Sequence, residues 1–509
     1  MLTVLVTACA SLPTSVERVP SQAYTDTAGT ELGRSIASAA AAHPGLTAVH
    51  PLAAGRDAFA ARYVLARQAQ RSIDVQYYIW HPDVSGSLLA HALWQAAERG
   101  VRVRMLLDDQ NTKGMDATLA ALDSHSNIEV RLFNPFANRS WRLGDYTGDF
   151  ARVNRRMHNK SFTVDNQVSV VGGRNVGDEY LGAETAVAFT DLDVTVAGAV
   201  VHDISATFDR YWNSPSAYPV TSLLPPAEGD VRARVLAQWE QLRDSPAAVR
   251  YAEAIRDQHL VEQMLTGTVP FEWVSAHVVA DDPAKVLTPP ERDDYDMGPR
   301  LQEALGRPER ELLLVSPYFV PGKEGTAALV ALAARGVKVS ILTNSLAATD
   351  VGPVYAGYRK YRSDLLRGGV HLYELKPGAK PPQGAPDRRG VGGSSGGSSS
   401  ASLHAKTFSV DRVRIFVGSF NLDPRSAQLN TEMGVVLESP ALATRLAQAF
   451  EEAAPRDAYE LRLAADGHSV EWIENTPSGE VRYTSSPGIG PLRRIWIGFL
   501  SLLPIESLL

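Results

Sequence analysis

The sequence predicts an α/β fold built from two homologous halves, each a mixed sheet flanked by helices. Three observations carry this expectation. Strand-like and helix-like stretches alternate along the chain, the same order of elements returns in the second half, and one motif occurs once in each half at a single spacing.

The elements follow in order. Ser72 to Ile79 (SIDVQYYI) is rich in β-branched and aromatic residues and reads as a strand. Leu88 to Arg99 is helix-like. Gly100 supplies a helix stop before the next strand, which runs to Leu107. In the second half, Leu312 to Phe319 is a strand, Thr326 to Arg335 is helix-like, and Gly336 to Leu342 is the following strand. AAERGVRVRMLL and LAARGVKVSILT are copies of one unit. We expect a first lobe over 50–224, a helical connector over 225–268, a second lobe over 269–455, and a C-terminal extension over 456–509. Residues 1–30 read as a leader and tether. Pro377 to Ser402, with GVGGSSGGSSSAS, cannot bury a core. It reads as a flexible connector, or as a mobile loop beside the second motif.

Composition narrows the function. The 509 residues carry 50 Lys+Arg against 57 Asp+Glu, a net charge of -7, which disfavours a surface devoted to nucleic acid. At roughly 150 residues per domain the length suggests about three units, or two large ones. The 44% hydrophobic content supports a substantial core. The single cysteine excludes a disulfide framework and any zinc or iron–sulfur site built on cysteines. No apolar run reaches the roughly 18–20 residues of a membrane-crossing helix.

Both ends are unusual. Met1 to Ala8 is apolar and meets Cys9 in Val6-Thr7-Ala8-Cys9, which looks like a bacterial lipobox with Cys9 as the lipidation site. The other reading is a frayed terminus with an incidental cysteine. At the far end, Arg493-Arg494 precede IWIGFLSLLPIESLL. This suits an interfacial membrane segment, or a helix docked on the protein's own core.

The repeat carries the chemistry. His158-x-Lys160 is followed after four residues by Asp165, and after six more by Gly172-Gly173-Arg174-Asn175. His404-x-Lys406, Asp411 and Gly418-Ser419-Phe420-Asn421 repeat that spacing. In a strand, residues i and i+2 share a face, so each histidine projects with its lysine. Lysine supplies charge, asparagine supplies N–H donors, and glycine lets backbone approach a phosphate. Two histidines facing one phosphate divide the work. One attacks phosphorus, while the other protonates the leaving alcohol and later deprotonates the acceptor.

HNKSFTVD…GGRN and HAKTFSVD…GSFN resemble the paired HKD motifs of the phospholipase D superfamily. DVQYYIW, LLDDQNT, RLFNPF, GGRNVGDEY, LYELKP and GSFNLDPRSAQLNTEMG are similar to its bacterial cardiolipin synthase branch, most nearly type C. The similarity runs from about Asp57 to the end of the chain. It implies two phospholipase D-type lobes related by a pseudo-twofold, with the active site between them. It implies His158 as nucleophile and His404 as general acid/base, an order the near-symmetry leaves open to reversal. Lys160, Lys406, Asn175 and Asn421 match phosphate ligands. Asp165 and Asp411 complete the motifs, more as structural partners than as proton carriers. Glu432 and, in the first half, Asp193 match carboxylates that orient the imidazoles. No cofactor and no metal are implied, in keeping with the lack of an acidic cluster in the sequence.

Arg152, Arg155 and Arg156 precede His158, and Arg388 and Arg389 precede His404, which reads as a cationic funnel for an anionic headgroup. Tyr77, Tyr78 and Tyr318 line the pocket or belong to the core behind it. The resemblance implies phosphatidyl transfer from phosphatidylethanolamine to phosphatidylglycerol, giving cardiolipin. Hydrolysis to phosphatidic acid uses the same intermediate and remains open at this level, as do a nuclease and a non-catalytic membrane-binding protein. The expected partners are these phospholipids and the bacterial cell membrane, with attachment through Cys9 and no nucleic acid. The sequence sets neither the leaflet nor the oligomeric state.

Overall fold

The computed structural model describes residues 11–183, 188–378, 401–504 and 506–509. Cys9, Arg388, Arg389 and most of the Gly/Ser segment therefore lie outside the described residues.

The first lobe contains β1 (Thr47–Leu52), β2 (Ser72–Tyr77), β3 (Arg102–Asp108), β4 (Ile128–Phe133), β5 (Ser161–Val164), β6 (Val168–Gly172), β7 (Ala188–Thr190), β8 (Asp193–Gly198) and β9 (Ala217–Pro219). The remaining strands are β10 (Glu272–Ala280), β11 (Glu311–Val315), β12 (Lys338–Asn344), β13 (His371–Leu375), β14 (Ala401–Leu403), β15 (Lys406–Val410), β16 (Arg414–Gly418), β17 (Met433–Glu438), β18 (Ala458–Leu463), β19 (Val470–Thr476) and β20 (Gly479–Tyr483). In the first lobe β2, β3 and β4 are parallel, and β2-β5-β6-β8-β1 continue antiparallel. The second lobe repeats this with β11, β12 and β13 parallel and β11-β15-β16-β17-β10 antiparallel.

The lobes join where the equivalent strands β1 and β10 pair antiparallel, Thr47 opposite Val274. This is the pseudo-twofold seam, and its core draws Val49, Val171, Val194 and Val196 from one side and Ile415, Val417, Val435 and Leu437 from the other. Separate apolar cores fill each lobe. Burying valine-rich faces on both sides of the seam removes apolar surface from water and fixes the halves against each other. β7 and β14 form a short parallel pair across the lobes.

The two predicted glycine stops do what their position requires. Gly100 and Gly336 follow helices Val84–Glu98 and Gly322–Ala334, with φ of 91° and 89°.

One expectation about the flanks needs correction, and two others gain detail. Residues 11–30 are no free tether. Arg131 donates to the Val19 carbonyl, Arg104 to the Ser21 carbonyl at 3.0 Å, and the Ala23 N–H to Asp209 at 2.9 Å, so first-lobe polar groups hold this stretch down. The connector helices Gly229–Arg243, Pro246–Arg256 and His259–Thr266 bury Trp239 and Tyr251 in the first-lobe core. The C-terminal extension packs onto the second lobe, where β18, β19 and β20 add onto β13 and widen the second sheet.

Candidate active site

Each motif begins just before a central strand, β5 or β15, so its residues are aimed by the sheet. Both histidines are docked by the opposite lobe. The His158 N–H donates to the Thr431 carbonyl at 2.8 Å, and its Nδ1 lies 2.8 Å from Oε2 of the next residue, Glu432. The His404 N–H donates to the Thr190 carbonyl at 2.9 Å, and its Nδ1 lies 2.6 Å from Oδ2 of the next residue, Asp191. A carboxylate on Nδ1 fixes the Nδ1–H tautomer and places the ring lone pair on Nε2.

This corrects the expected first-lobe acid. Asp193 does not meet an imidazole. It accepts from Arg62 Nη2 at 2.9 Å and from the Arg174 N–H at 3.1 Å, forming a fully buried ion pair. The acid that meets His404 is Asp191, two positions earlier. Thr190-Asp191 and Thr431-Glu432 are matching Thr-acid pairs, and this shared threonine is the sequence signal that DLDV obscured.

The two acids differ in support. Glu432 accepts from Ser419 Oγ at 2.5 Å and Ser426 Oγ at 2.9 Å, and its N–H donates to Asp281 at 2.7 Å. Asp191 accepts from the Leu192 N–H at 2.8 Å. Ser419 has Gly173 as its counterpart, where a Cβ would stand 2.3 Å from Asp191 Oδ1. The first lobe needs that glycine for space, while the second uses the hydroxyl as a donor.

Lys160 and Lys406 are buried beside the histidines. Lys160 Nζ donates to the His158 carbonyl at 2.6 Å, and Lys406 Nζ stands 2.9 Å from His404 Nδ1. Tyr78 lies edge-on to His158 with ring centroids 5.0 Å apart, and Tyr180 does the same to His404 at 5.1 Å. Tyr180 was missed in the sequence because GGRNVGDEY gives no reason to separate it from a core tyrosine. Of the other tyrosines, Tyr77 is buried against Arg62, and Tyr318 donates to Asp350 at 2.9 Å. Asn175 accepts from the Ile79 N–H at 3.2 Å. Asn175 and Asn421 directly precede equivalent bridges, Val176 with Trp80 and Leu422 with Phe319.

Burial and mutual repulsion set the electrostatics. Burial first, then Lys160 and Lys406, push the His158 imidazole well below its usual range. Burial and Lys406 bring His404 down to about 4, despite Asp191. Burial lowers Lys160 to about 7 and Lys406 to about 8. The acids diverge. Burial raises Glu432 to about 7, whereas for Asp191 the His404, Lys406 and Arg174 charges outweigh burial and hold it at about 2. Each lysine bears on both imidazoles, so the four buried basic groups form one electrostatic unit.

Asp165 and Asp411 stand at the far ends of β5 and β15 from the histidines, so their place in the catalytic set is corrected. Each sits in a two-residue hairpin turn with φ near 50° at both central positions: Asp165 and Asn166 at 51°, Asp411 and Arg412 at 55° and 57°. Asp165 accepts from the N–H groups of Gln70, Arg71 and Ser72, and Asp411 from those of Glu309, Arg310 and Glu311. These are turn formers that pin each hairpin to the start of the neighbouring strand.

The arginine funnel is also corrected. Arg156 pairs with buried Asp108 at 2.9 Å, Arg155 donates to the Lys285 carbonyl at 3.3 Å, and Arg152 pairs with Asp149 at 2.5 Å. Among the described residues, the positive charge beside the two histidines comes from Lys160 and Lys406, while Arg388 and Arg389 lie outside them. The fold also gathers an acidic group that sequence order hides. Ligand atoms of His81, Asp83 and Glu179 lie within 4.8 Å of one another, although Asp83 already caps a helix through the Gly86 N–H and His81 contacts Glu179 at 3.1 Å.

Comparison with known proteins adds to this geometry. The family described as cardiolipin synthase, PLD-like domain matches residues 64–212 and 301–454. The chain is 46% identical over 469 residues to cardiolipin synthase C of Escherichia coli K12, covering 92% of this chain and 97% of that protein. It is 25% identical over 410 residues to the major cardiolipin synthase of Bacillus subtilis 168, covering 78% and 67%. The crystal structure of phosphatidylserine synthase from Haemophilus influenzae Rd KW20 shares the fold at a TM-score of 0.55 and 13% identity, covering 94% of this chain and all of that one.

Proposed function

The chain belongs to the phospholipase D superfamily in its cardiolipin synthase branch, and we propose that it makes cardiolipin by moving a phosphatidyl group from phosphatidylethanolamine to phosphatidylglycerol. The observation that carries the reading is the crossed pairing of His158 with Glu432 and His404 with Asp191, around two buried lysines.

His158, neutral and held in the Nδ1–H tautomer, attacks phosphorus through Nε2. The bond from phosphorus to the ethanolamine oxygen breaks, and His404 delivers a proton to that oxygen. The product is a phosphatidyl-histidine on His158. His404, now neutral, takes the proton from a phosphatidylglycerol hydroxyl, whose oxygen attacks phosphorus and releases His158. Lys160, Lys406, Asn175 and Asn421 hold the phosphoryl oxygens. The phosphodiester anion offsets the lysine charges and raises His404 from about 4 into its working range. The contrast between the acids supports this order of roles. Asp191, ionised at low pH, suits the histidine that must be cationic before it gives up its proton, and Glu432, near 7, can accept the Nδ1 proton that His158 sheds as Nε2 bonds to phosphorus. Association with the bacterial membrane, with Cys9 as the lipidated residue, belongs to the same reading.

Purified protein in mixed micelles of the two lipids is expected to yield cardiolipin and ethanolamine. Phosphatidic acid as the dominant product would assign the hydrolytic reaction instead.

A further inference from the structure

Helix Pro491–Leu500 is apolar on two sides. Ile497 and Leu500 face the body, where Ile497 approaches Gly352. Leu492, Ile495, Trp496 and Phe499 follow helical spacing on the outer face and are more than half exposed, with Leu502 continuing the row at 82%. Trp496 and Phe499 stack at 5.7 Å, forming an ordered aromatic surface. From Pro491 to Pro504 there are two arginines and no acid.

This helix borders the active site. Arg494 donates to the Ser486 carbonyl at 3.0 Å and Arg493 to the Thr349 carbonyl at 3.5 Å. The residue after Thr349 is Asp350, which accepts from Tyr318 and bears on Lys406.

A second exposed apolar group lies on the first lobe. Trp141, Leu143 and Phe150 stand out from the short helices Arg142–Gly148 and Phe150–Val153, whose chain leads directly into His158. Arg425 links the two sides. Its guanidinium donates to the Asn154 carbonyl at 2.9 Å and to the Leu508 carbonyl at 3.2 Å. Arg425 thus ties the chain just before His158 to the chain just after the C-terminal helix.

We infer that these two groups form a single docking surface for a lipid bilayer containing anionic phospholipid, which seats the active-site mouth on the membrane. Exposed tryptophans and leucines enter the acyl boundary, while Arg493 and Arg494 lie level with the phosphates. The inference rests on the reading that the substrates are membrane phospholipids.

The test uses the full chain with Cys9→Ser, so that lipidation cannot supply attachment. Vesicles of phosphatidylglycerol and phosphatidylethanolamine are expected to carry the protein in flotation, and vesicles of phosphatidylcholine alone to carry less. Leu492→Asp with Trp496→Asp, and separately Trp141→Asp with Leu143→Asp, are each expected to weaken binding at least about tenfold. Turnover of a short-chain monomeric phospholipid should stay at the parent level, which also reports intact folding. A parent that does not float, variants that float equally, or a dimer that these substitutions dissociate would overturn the inference. Vesicle binding that follows this pattern without turnover of any phospholipid would leave the docking surface standing and remove the proposed reaction.

Discussion

His158 Nδ1 and Glu432 Oε2 lie 2.8 Å apart although 274 positions separate them in sequence, and His404 with Asp191 repeats the relationship in the opposite direction. Neither motif histidine takes its acid from its own lobe. The seam between β1 and β10 is thus a condition of the chemistry as well as of stability.

The crossed pairs separate functional from structural acids. Asp191→Asn and Glu432→Gln are expected to lower kcat by about 10²-fold or more with little change in thermal midpoint, because tautomer control and imidazolium support are lost. Asp193→Ala should instead lower the midpoint, since it strands buried Arg62 at a cost of about 3–5 kcal/mol. Steady-state kinetics and calorimetry on the three variants check this. A normal midpoint in Asp193→Ala would contradict the assignment.

The hairpin aspartates allow a graded comparison. Asp165 is fully buried and Asp411 is partly exposed, while both bind three amides. Water can replace the lost acceptor at Asp411 but not at Asp165, so Asp165→Ala should unfold at lower denaturant than Asp411→Ala. Urea titrations of the two variants give the order.

Gly173 and Ser419 occupy equivalent places with opposite tolerances. Gly173→Ala puts a Cβ against Asp191 and should abolish turnover. Ser419→Ala removes one donor to Glu432, a loss of about 1–3 kcal/mol to a charged acceptor, and should leave reduced activity. Equal losses in both would show that space is not what the glycine provides.

Anion binding should depend on pH with a definite sign. Between pH 6 and 8.5, Lys160 and Lys406 pass through about 7 and about 8 and lose charge, while Glu432 ionises near 7. All three changes make the site less positive as pH rises. Tungstate should therefore raise the thermal midpoint more at pH 6 than at pH 8.5. The free protein behaves conversely. Each lysine's folded pKa lies below its unfolded value near 10.4, so the unfolded chain binds more protons, and these groups add stability as pH rises from about 7 to 10. A midpoint shift independent of pH would contradict buried, titrating lysines.

Much of this was legible in the sequence for definite reasons. The duplicated HxK motif is local, and its i, i+2 spacing at the entry to β5 and β15 brings His158 with Lys160 and His404 with Lys406. The α/β repeat followed from glycine-stopped helices preceding valine-rich strands. What the sequence hid was non-local. Choosing between Asp191 and Asp193 requires knowing which faces the other lobe and which faces Arg62. The arginines before His158 look like a funnel until Asp108, Asp149 and the Lys285 carbonyl are brought against them by folding. The C-terminal segment reads both ways in sequence because one helix has two apolar sides, Ile497 and Leu500 inward, Trp496 and Phe499 outward.

The most direct test of the central claim is to locate the covalent adduct. His404→Ala, incubated with labelled phosphatidylethanolamine, quenched and analysed by peptide mass spectrometry, should carry a phosphatidyl group on His158, and His158→Ala should carry none. An adduct on His404 in the otherwise unaltered protein, or in His158→Ala, would contradict the account.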